Sequence, residues 1–235
     1  MLSYDNLRCN YEALLDLPFE EGTGTITADI AKPHHQFVDL VSPPTWASLS
    51  SGLGVLSFDG ATNYGELVAA DSADLDFTSG AYSIVVWVYQ LANAMSRMVL
   101  AKYRLDTSGW ELYFYQAAQD YLTLRHHHAS LSPDRTGCYS IGWDCDTWWC
   151  LGITRAAGSA YPRHYRNGVP LVVSFDPGGL YDPDTAVAED LVIGTRFTKN
   201  SDWYKGGLWR PRIFNRELSP SEMRLIYNME EHWFV

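Results

Sequence analysis

The sequence predicts an all-β protein: a two-sheet antiparallel jelly-roll sandwich with one short helix near its C-terminal end. Three observations predict it. Residues 83–89, Ser-Ile-Val-Val-Trp-Val-Tyr, form an almost unbroken apolar run of β-branched and aromatic side chains, the kind of strand that is covered on both faces. Short strand-like segments separated by Gly, Pro, Asp and Asn recur along the chain without helical crossovers, which argues against a parallel α/β sheet. Near the end, Ser219-Pro220-Ser221-Glu222 sets a hydroxyl before a proline and a glutamate three residues after it, the pattern of a capping box.

The elements follow in order. Residues 14–19 read as an early strand and residues 20–25 as its turn. Residues 31–51 contain Pro33, Pro43 and Pro44 with little periodicity, and are expected to be a long surface connection. Leu56 and Phe58 end a strand at the Asp59-Gly60 turn, and residues 64–68 start the next. Residues 97–103 and 109–115 make a hairpin; in its second arm Trp110, Leu112 and Phe114 alternate with Glu111, Tyr113 and Tyr115. Strands over 121–128, 146–155, 161–167, 171–175, 191–195 and 207–214 bring the total to about ten to thirteen. A helix over 220–228 presents Met223, Ile226 and Tyr227 on one face. The expected core includes Leu56, Phe58, Ile84, Val86, Trp87, Leu151, Ile153 and Ile213.

With 235 residues, 46% hydrophobic and 19% charged, one domain is expected over 13–228, preceded by an arm over 1–12 and followed by a tail over 229–235. A net charge of -11 with 17 basic residues opposes binding to nucleic acid or to anionic membrane. No apolar segment approaches the roughly 18–20 residues of a membrane span, so membrane insertion is not expected. Residues 1–9 lack the basic start and apolar stretch of a secretory signal, so general secretion is not expected either. Cys9, Cys138, Cys145 and Cys150 are expected as reduced thiols; a Cys138–Cys145 or Cys145–Cys150 bridge is the alternative in oxidising surroundings. Zinc on these cysteines with His126, His127 or His128 is disfavoured because the close Cys-x2-Cys pair is missing.

Leu56-Ser-Phe-Asp-Gly, Tyr64-Gly-Glu-Leu, Ser72-Ala-Asp-Leu-Asp-Phe and Tyr82-Ser-Ile-Val-Val-Trp-Val together resemble the first half of a laminin-G-like, concanavalin A-like domain. Thr147-Trp-Trp-Cys-Leu-Gly-Ile-Thr-Arg resembles the central tryptophan strand, and Tyr165-Arg-Asn-Gly-Val-Pro-Leu the strand after it. Arg212-Ile-Phe-Asn-Arg-Glu-Leu-Ser-Pro-Ser-Glu-Met resembles the closing strand and helix. This fold serves lectins, adhesion modules, hydrolases and viral structural proteins alike, so it leaves function open. Calcium is the metal the resemblance implies, with Asp29, Asp59 and Asp76 as its candidate carboxylates. Where similar domains carry an acidic pair before the closing strand, this chain has Trp209-Arg210.

Glucanases that the fold resembles carry a Glu-x-Asp-x-(x)-Glu strand, which aims nucleophile and acid at one sugar. No such run is present: Glu111 precedes Leu-Tyr-Phe-Tyr and Glu189 precedes Asp-Leu. The chain is therefore expected not to be an enzyme and to have no catalytic residues. Glu111 is expected to face solvent, and Asp144 and Asp146 to form turns. His126 and His128 share a strand face and could share a metal, but the three adjacent histidines are expected as surface or edge polarity; His34-His35 falls in the proline-bearing loop.

Nine Trp and fifteen Tyr point to binding, since partly exposed rings are platforms for sugars or protein partners. Trp46, Trp143, Tyr181, Trp203 and Tyr204 are the loop candidates, with Asp202 beside the last two. The terminal apolar residues Leu2, Tyr4, Leu7 and Tyr11, with Trp233 and Phe234, are expected to dock on a neighbour. A laminin-G-like domain standing nearly alone and without a secretory signal resembles phage structural proteins. The expected function is thus a non-enzymatic structural or interaction protein of a virus particle, such as a capsid decoration, fibre or tail-associated protein, assembled in the host cytoplasm. Its expected partners are a viral capsid or tail protein, a cell-surface glycan or a second copy of the chain. An extracellular lectin module is the first alternative and a glycoside hydrolase the second.

Overall fold

The computed structural model describes residues 12–32, 37–91, 97–115, 121–176 and 178–234. Its strands are β1 (Ala13–Asp16), β2 (Ile26–Ala28), β3 (Phe37–Val41), β4 (Thr45–Ser48), β5 (Gly54–Asp59) and β6 (Tyr64–Leu67). Next come β7 (Tyr82–Gln90), β8 (Arg97–Arg104), β9 (Ser108–Tyr115), β10 (Tyr121–His127), β11 (Arg135–Ser140) and β12 (Trp148–Arg155). The last are β13 (Arg163–Arg166), β14 (Val169–Pro170), β15 (Ser174–Asp176), β16 (Leu191–Ile193) and β17 (Lys205–Phe214), followed by helix α1 (Pro220–Glu230).

All pairings are antiparallel and build two sheets, as expected for a jelly roll. The eight-stranded sheet runs β14-β13-β12-β7-β17-β5-β4, with β1 also on β17; the nine-stranded sheet runs β15-β11-β10-β9-β8-β16-β6-β3-β2. One edge of β17 serves two strands: Lys205 to Leu208 pair with β5, and Arg212 to Phe214 pair with β1. Between these halves the register shifts at Trp209–Arg212, where Arg210 has a φ of 48° and Pro211 has no N–H to give to a ladder.

The side-chain alternation sorts the core into two layers. Ile84, Val86 and Val88 of β7 meet Trp110, Leu112 and Phe114 of β9, Leu122 and Leu124 of β10, and Leu151 and Ile153 of β12 between the sheets. Val85 and Trp87 point the other way, onto Phe214 and the Met223 and Ile226 face of α1. The 83–89 run is therefore covered on both faces, and all eight expected core residues are buried. The capping box forms as read: the Ser219 side chain accepts from the Glu222 N–H, and the Glu222 carboxylate accepts from the Ser219 N–H at 2.9 Å.

Residues 31–51 depart from the expectation. Instead of one long connection they contain β3 and β4, with Phe37 and Asp39 exposed while Val38 and Leu40 are buried. The prolines at 43 and 44 sit in the turn between these strands, where no ladder N–H is needed. β2 and β11 were not expected: β2 has three residues, and the Arg-Thr-Gly-Cys-Tyr-Ser of β11 has almost no apolar pattern. The strands number 17 among the described residues, against the ten to thirteen read from the sequence. Among these residues no helix is long and apolar enough to cross a membrane.

Candidate functional site

The outward face of β8 to β11 is the candidate site. Because Trp110, Leu112 and Phe114 fill the core, the alternation of β9 must turn Glu111, Tyr113 and Tyr115 outward. Cross-strand register adds Tyr121 opposite Tyr115, Thr123 opposite Tyr113 and Arg125 opposite Glu111 on β10, then Tyr139 opposite Thr123 on β11. The result is a groove made of two hollows that share Tyr113, Tyr115, Arg125 and Arg135, of 460 Å³ and 490 Å³. A third hollow, reaching Tyr181, shares Pro133 and Thr136 with the first.

Rings and guanidinium groups form the lining. Tyr121 and Tyr139 lie 4.8 Å apart, and Tyr115 is 47% exposed at the rim. The Arg125 guanidinium sits 5.2 Å over the Tyr113 ring. Burial pushes the Tyr103 and Tyr113 hydroxyls above the ordinary tyrosine range, which keeps both protonated.

Glu111, expected at the surface, is instead only 5% exposed. Its Oε1 takes Arg125 Nη1 at 3.2 Å and His127 Nε2 at 3.3 Å. The Asp106 N–H donates to His127 Nδ1 at 3.2 Å, which places the imidazole proton on Nε2, facing Glu111. Burial alone would raise the Glu111 carboxyl, but the hydrogen bond from His127, the Arg125 charge and a Tyr103 hydrogen bond hold it below its ordinary value of 4.5. A carboxyl depressed by folding stabilises the fold above the unfolded value, and that stabilisation is lost as pH falls through the folded one. Urea melts through pH 4.5 and below should therefore show a shallower acid loss for Glu111→Gln than for the parent protein.

Asp202 lines the second hollow, and burial raises its carboxyl against the opposing charge of Arg196, 3.3 Å away. Two carboxylates with opposite shifts thus line one groove, which is the electrostatic outline of an acid and a nucleophile. Neither is free for that work: Glu111 is committed to Arg125, His127 and Tyr103, and Asp202 to Arg196.

The other expected site residues scatter. Trp143 is fully buried, donating from Nε1 to Ser140 Oγ at 3.1 Å and meeting Phe114 edge-on. Tyr204 is likewise buried, with its hydroxyl donating to Tyr89 O at 3.1 Å. Both rings close the sandwich where an exposed platform was expected, because this core has room for large aromatics with one satisfied polar atom. Trp203 is half-buried against Tyr64, and Trp46 donates to Gly24 O at 3.0 Å. Phe234 stacks on Trp87 at 3.9 Å and contacts Trp148 and Trp209, so it packs on its own sandwich. Trp233 is partly exposed, and its carbonyl accepts from Ser51 Oγ at 2.6 Å. Leu2, Tyr4, Leu7, Cys9, Tyr11, Pro33, His34 and His35 lie outside the described residues.

The three adjacent histidines are not surface polarity, for all are fully buried. His126 Nδ1–H donates to Tyr181 O at 2.8 Å, which leaves Nε2 to accept from the Tyr82 hydroxyl. His128 Nδ1–H donates to Asp182 O at 2.8 Å, leaving Nε2 to accept from Thr136. Burial lowers both imidazoles, and these neutral rings tie residues 181–182 to the sheet. Cys138 Sγ lies 3.3 Å from His164 Nε2 in a pairing that looks nucleophilic. Burial pushes the thiol far up and the imidazole down to about 3, so no thiolate–imidazolium pair forms. Cys138, Cys145 and Cys150 are reduced thiols, with neither the Cys138–Cys145 nor the Cys145–Cys150 bridge formed.

Calcium does not fit the expected carboxylates. Asp29 accepts from the N–H groups of Asp16 and Ala31, Asp59 accepts from its own turn, and Asp76 pairs with Lys102 at 3.4 Å. Each is committed where it stands, and no group of three or more His, Cys, Asp or Glu side chains that could hold a metal occurs among the described residues. At Trp209-Arg210 the guanidinium pairs with Asp16 and Glu230.

A family model described as the concanavalin A-like lectin/glucanases superfamily matches residues 59–224. Among solved structures, the receptor binding domain of botulinum neurotoxin C/D mosaic serotype aligns with a TM-score of 0.69 at 13% identity, over 94% of this chain and 52% of that one. The serotype G binding domain aligns at 0.65 and 14% identity, over 93% and 51%. A binding domain of botulinum neurotoxin DC in complex with SialylT aligns at 0.65 and 12%, over 94% and 52%. The chain thus spans about half the length of the solved structures it matches. A search of curated proteins finds no match.

Proposed function

Since the chain belongs to the concanavalin A-like lectin/glucanase superfamily, we propose that it is a non-catalytic glycan-binding module whose site is the groove on the outer face of β8 to β11. The observation that carries this reading is the convergence of four tyrosines, Tyr113, Tyr115, Tyr121 and Tyr139, with Arg125 and Arg135 along one hollow. Rings supply faces for the apolar side of a sugar, while guanidinium, hydroxyl and carboxylate groups match its hydroxyls. Of the similar neurotoxin structures, one is a receptor binding domain and another is a binding domain in complex with SialylT, which supports the same reading.

Absence of catalysis is proposed because the Glu111 and Asp202 carboxylates are both tied to cations. Purified protein should release no reducing sugar from β-glucans or other polysaccharides. On a glycan array followed by calorimetry, Tyr115→Ala and Tyr121→Ala should each weaken binding roughly tenfold or more, the usual cost of truncating an aromatic anchor. Unchanged binding in both variants would move the site elsewhere. Residence on a virus particle is a separate proposal; mass spectrometry of purified particles tests it.

A further inference from the structure

Building on the groove reading, we infer that the sugar it selects is acidic, carrying a carboxylate or sulfate that Arg125 and Arg135 hold between them. The two arginines occupy neighbouring strands on one face. In the β10–β11 register Arg125 lies opposite Gly137 and Arg135 opposite His127, which makes the arginines diagonal neighbours. Gly137 places no side chain between them, and both guanidinium groups line the 460 Å³ hollow.

What these groups already bind leaves hydrogen-bonding capacity over. Arg125 gives Nη1 to Glu111 and rests on Tyr113, so its orientation is fixed in advance. Arg135 has its nearest carboxylate, Asp106, at 3.8 Å, beyond hydrogen-bond distance, and its side chain is 48% exposed. Its planar fork is thus available for the two oxygens of a carboxylate or sulfate, the geometry that distinguishes arginine from lysine. Asp176, opposite Gly137 on β15, is the acidic group that faces the same hollow, and it suits a sugar hydroxyl as acceptor. Glu111 takes Arg125 through Nη1 and Asp106 lies nearest Arg135 through Nε, so the preference rests on the N–H donors these carboxylates leave over and not on a net positive charge.

Matched pairs on a glycan array test the inference: lactose with sialyllactose, tetragalacturonate with its methyl ester, and N-acetyllactosamine with its sulfated form. The acidic member of at least one pair should bind more tightly, and the sialyl, uronate and sulfate arms show which acid is preferred. Arg135→Gln should weaken that binding about 10- to 100-fold, the value of a hydrogen bond to a charged group. Arg135→Lys should recover part of it, and thermal melts should show both variants folded. Equal binding of neutral and acidic members, insensitive to Arg135→Gln but lost in Tyr115→Ala, would overturn the acidic preference and leave the glycan groove standing. Binding to no glycan of either kind would overturn both.

Discussion

Glu230→Ala is expected to cost about 3–5 kcal/mol of stability, the range for removing one partner of a buried ion pair. The Glu230 carboxylate is 5% exposed and closes the seam between α1 and the eight-stranded sheet. Its Oε2 accepts from Trp87 Nε1 and from Arg212 Nη2, each at 2.8 Å, while Oε1 lies 3.5 Å from Arg210 Nη1. Alanine would strand the buried Arg212 charge and leave the indole N–H without an acceptor, and water cannot readily enter to replace either. Glu230→Gln keeps an oxygen in place and should lose less. Urea denaturation of the two variants beside the parent measures the difference.

Ile153→Ala should destabilise by roughly 2–5 kcal/mol. Ile153 is fully buried on β12, paired with Ile84 on one side and His164 on the other, in the layer between the sheets. Deleting its branched side chain there leaves a cavity that two hydrogen-bonded sheets cannot collapse to fill. The denaturation midpoint should fall with little change in slope, since the surface exposed on unfolding hardly changes. An unchanged midpoint would mean that the side chain does not sit between the sheets.

Much of the scaffold was legible because its local signals agree. The 83–89 run, the alternation in β9 and the capping box at Ser219 each specify an element without help from distant residues. β2, β3, β4 and β11 were not legible, because short strands borrow stability from neighbours and carry little pattern of their own. The site was half visible. Once Trp110, Leu112 and Phe114 are placed inside, Glu111, Tyr113 and Tyr115 must share the other face, but which strands flank them is a matter of sheet order. Loop position misled for Trp143 and Tyr204, since a ring near a turn can still point into the core. Charge misled for Glu111 and polarity for His126, whose buried partners come from other strands or loops and leave no mark in the local sequence.

The register shift in β17 has a consequence for how the chain is made. β17 is the strand that joins β7 to β5 and β1, yet it lies near the end of the sequence. Arg210, at the shift, bonds Asp16 across 194 residues. On a ribosome, β1, β5 and the apolar β7 emerge long before the strand that unites them, and each carries unpaired backbone groups during that interval. Closure of this sheet is therefore a late event in synthesis, completed only after β17 clears the exit tunnel. A nascent chain arrested before residue 205 should keep β7 accessible to chaperones, and one released after residue 234, with α1 and Phe234 in place on Trp87, should not.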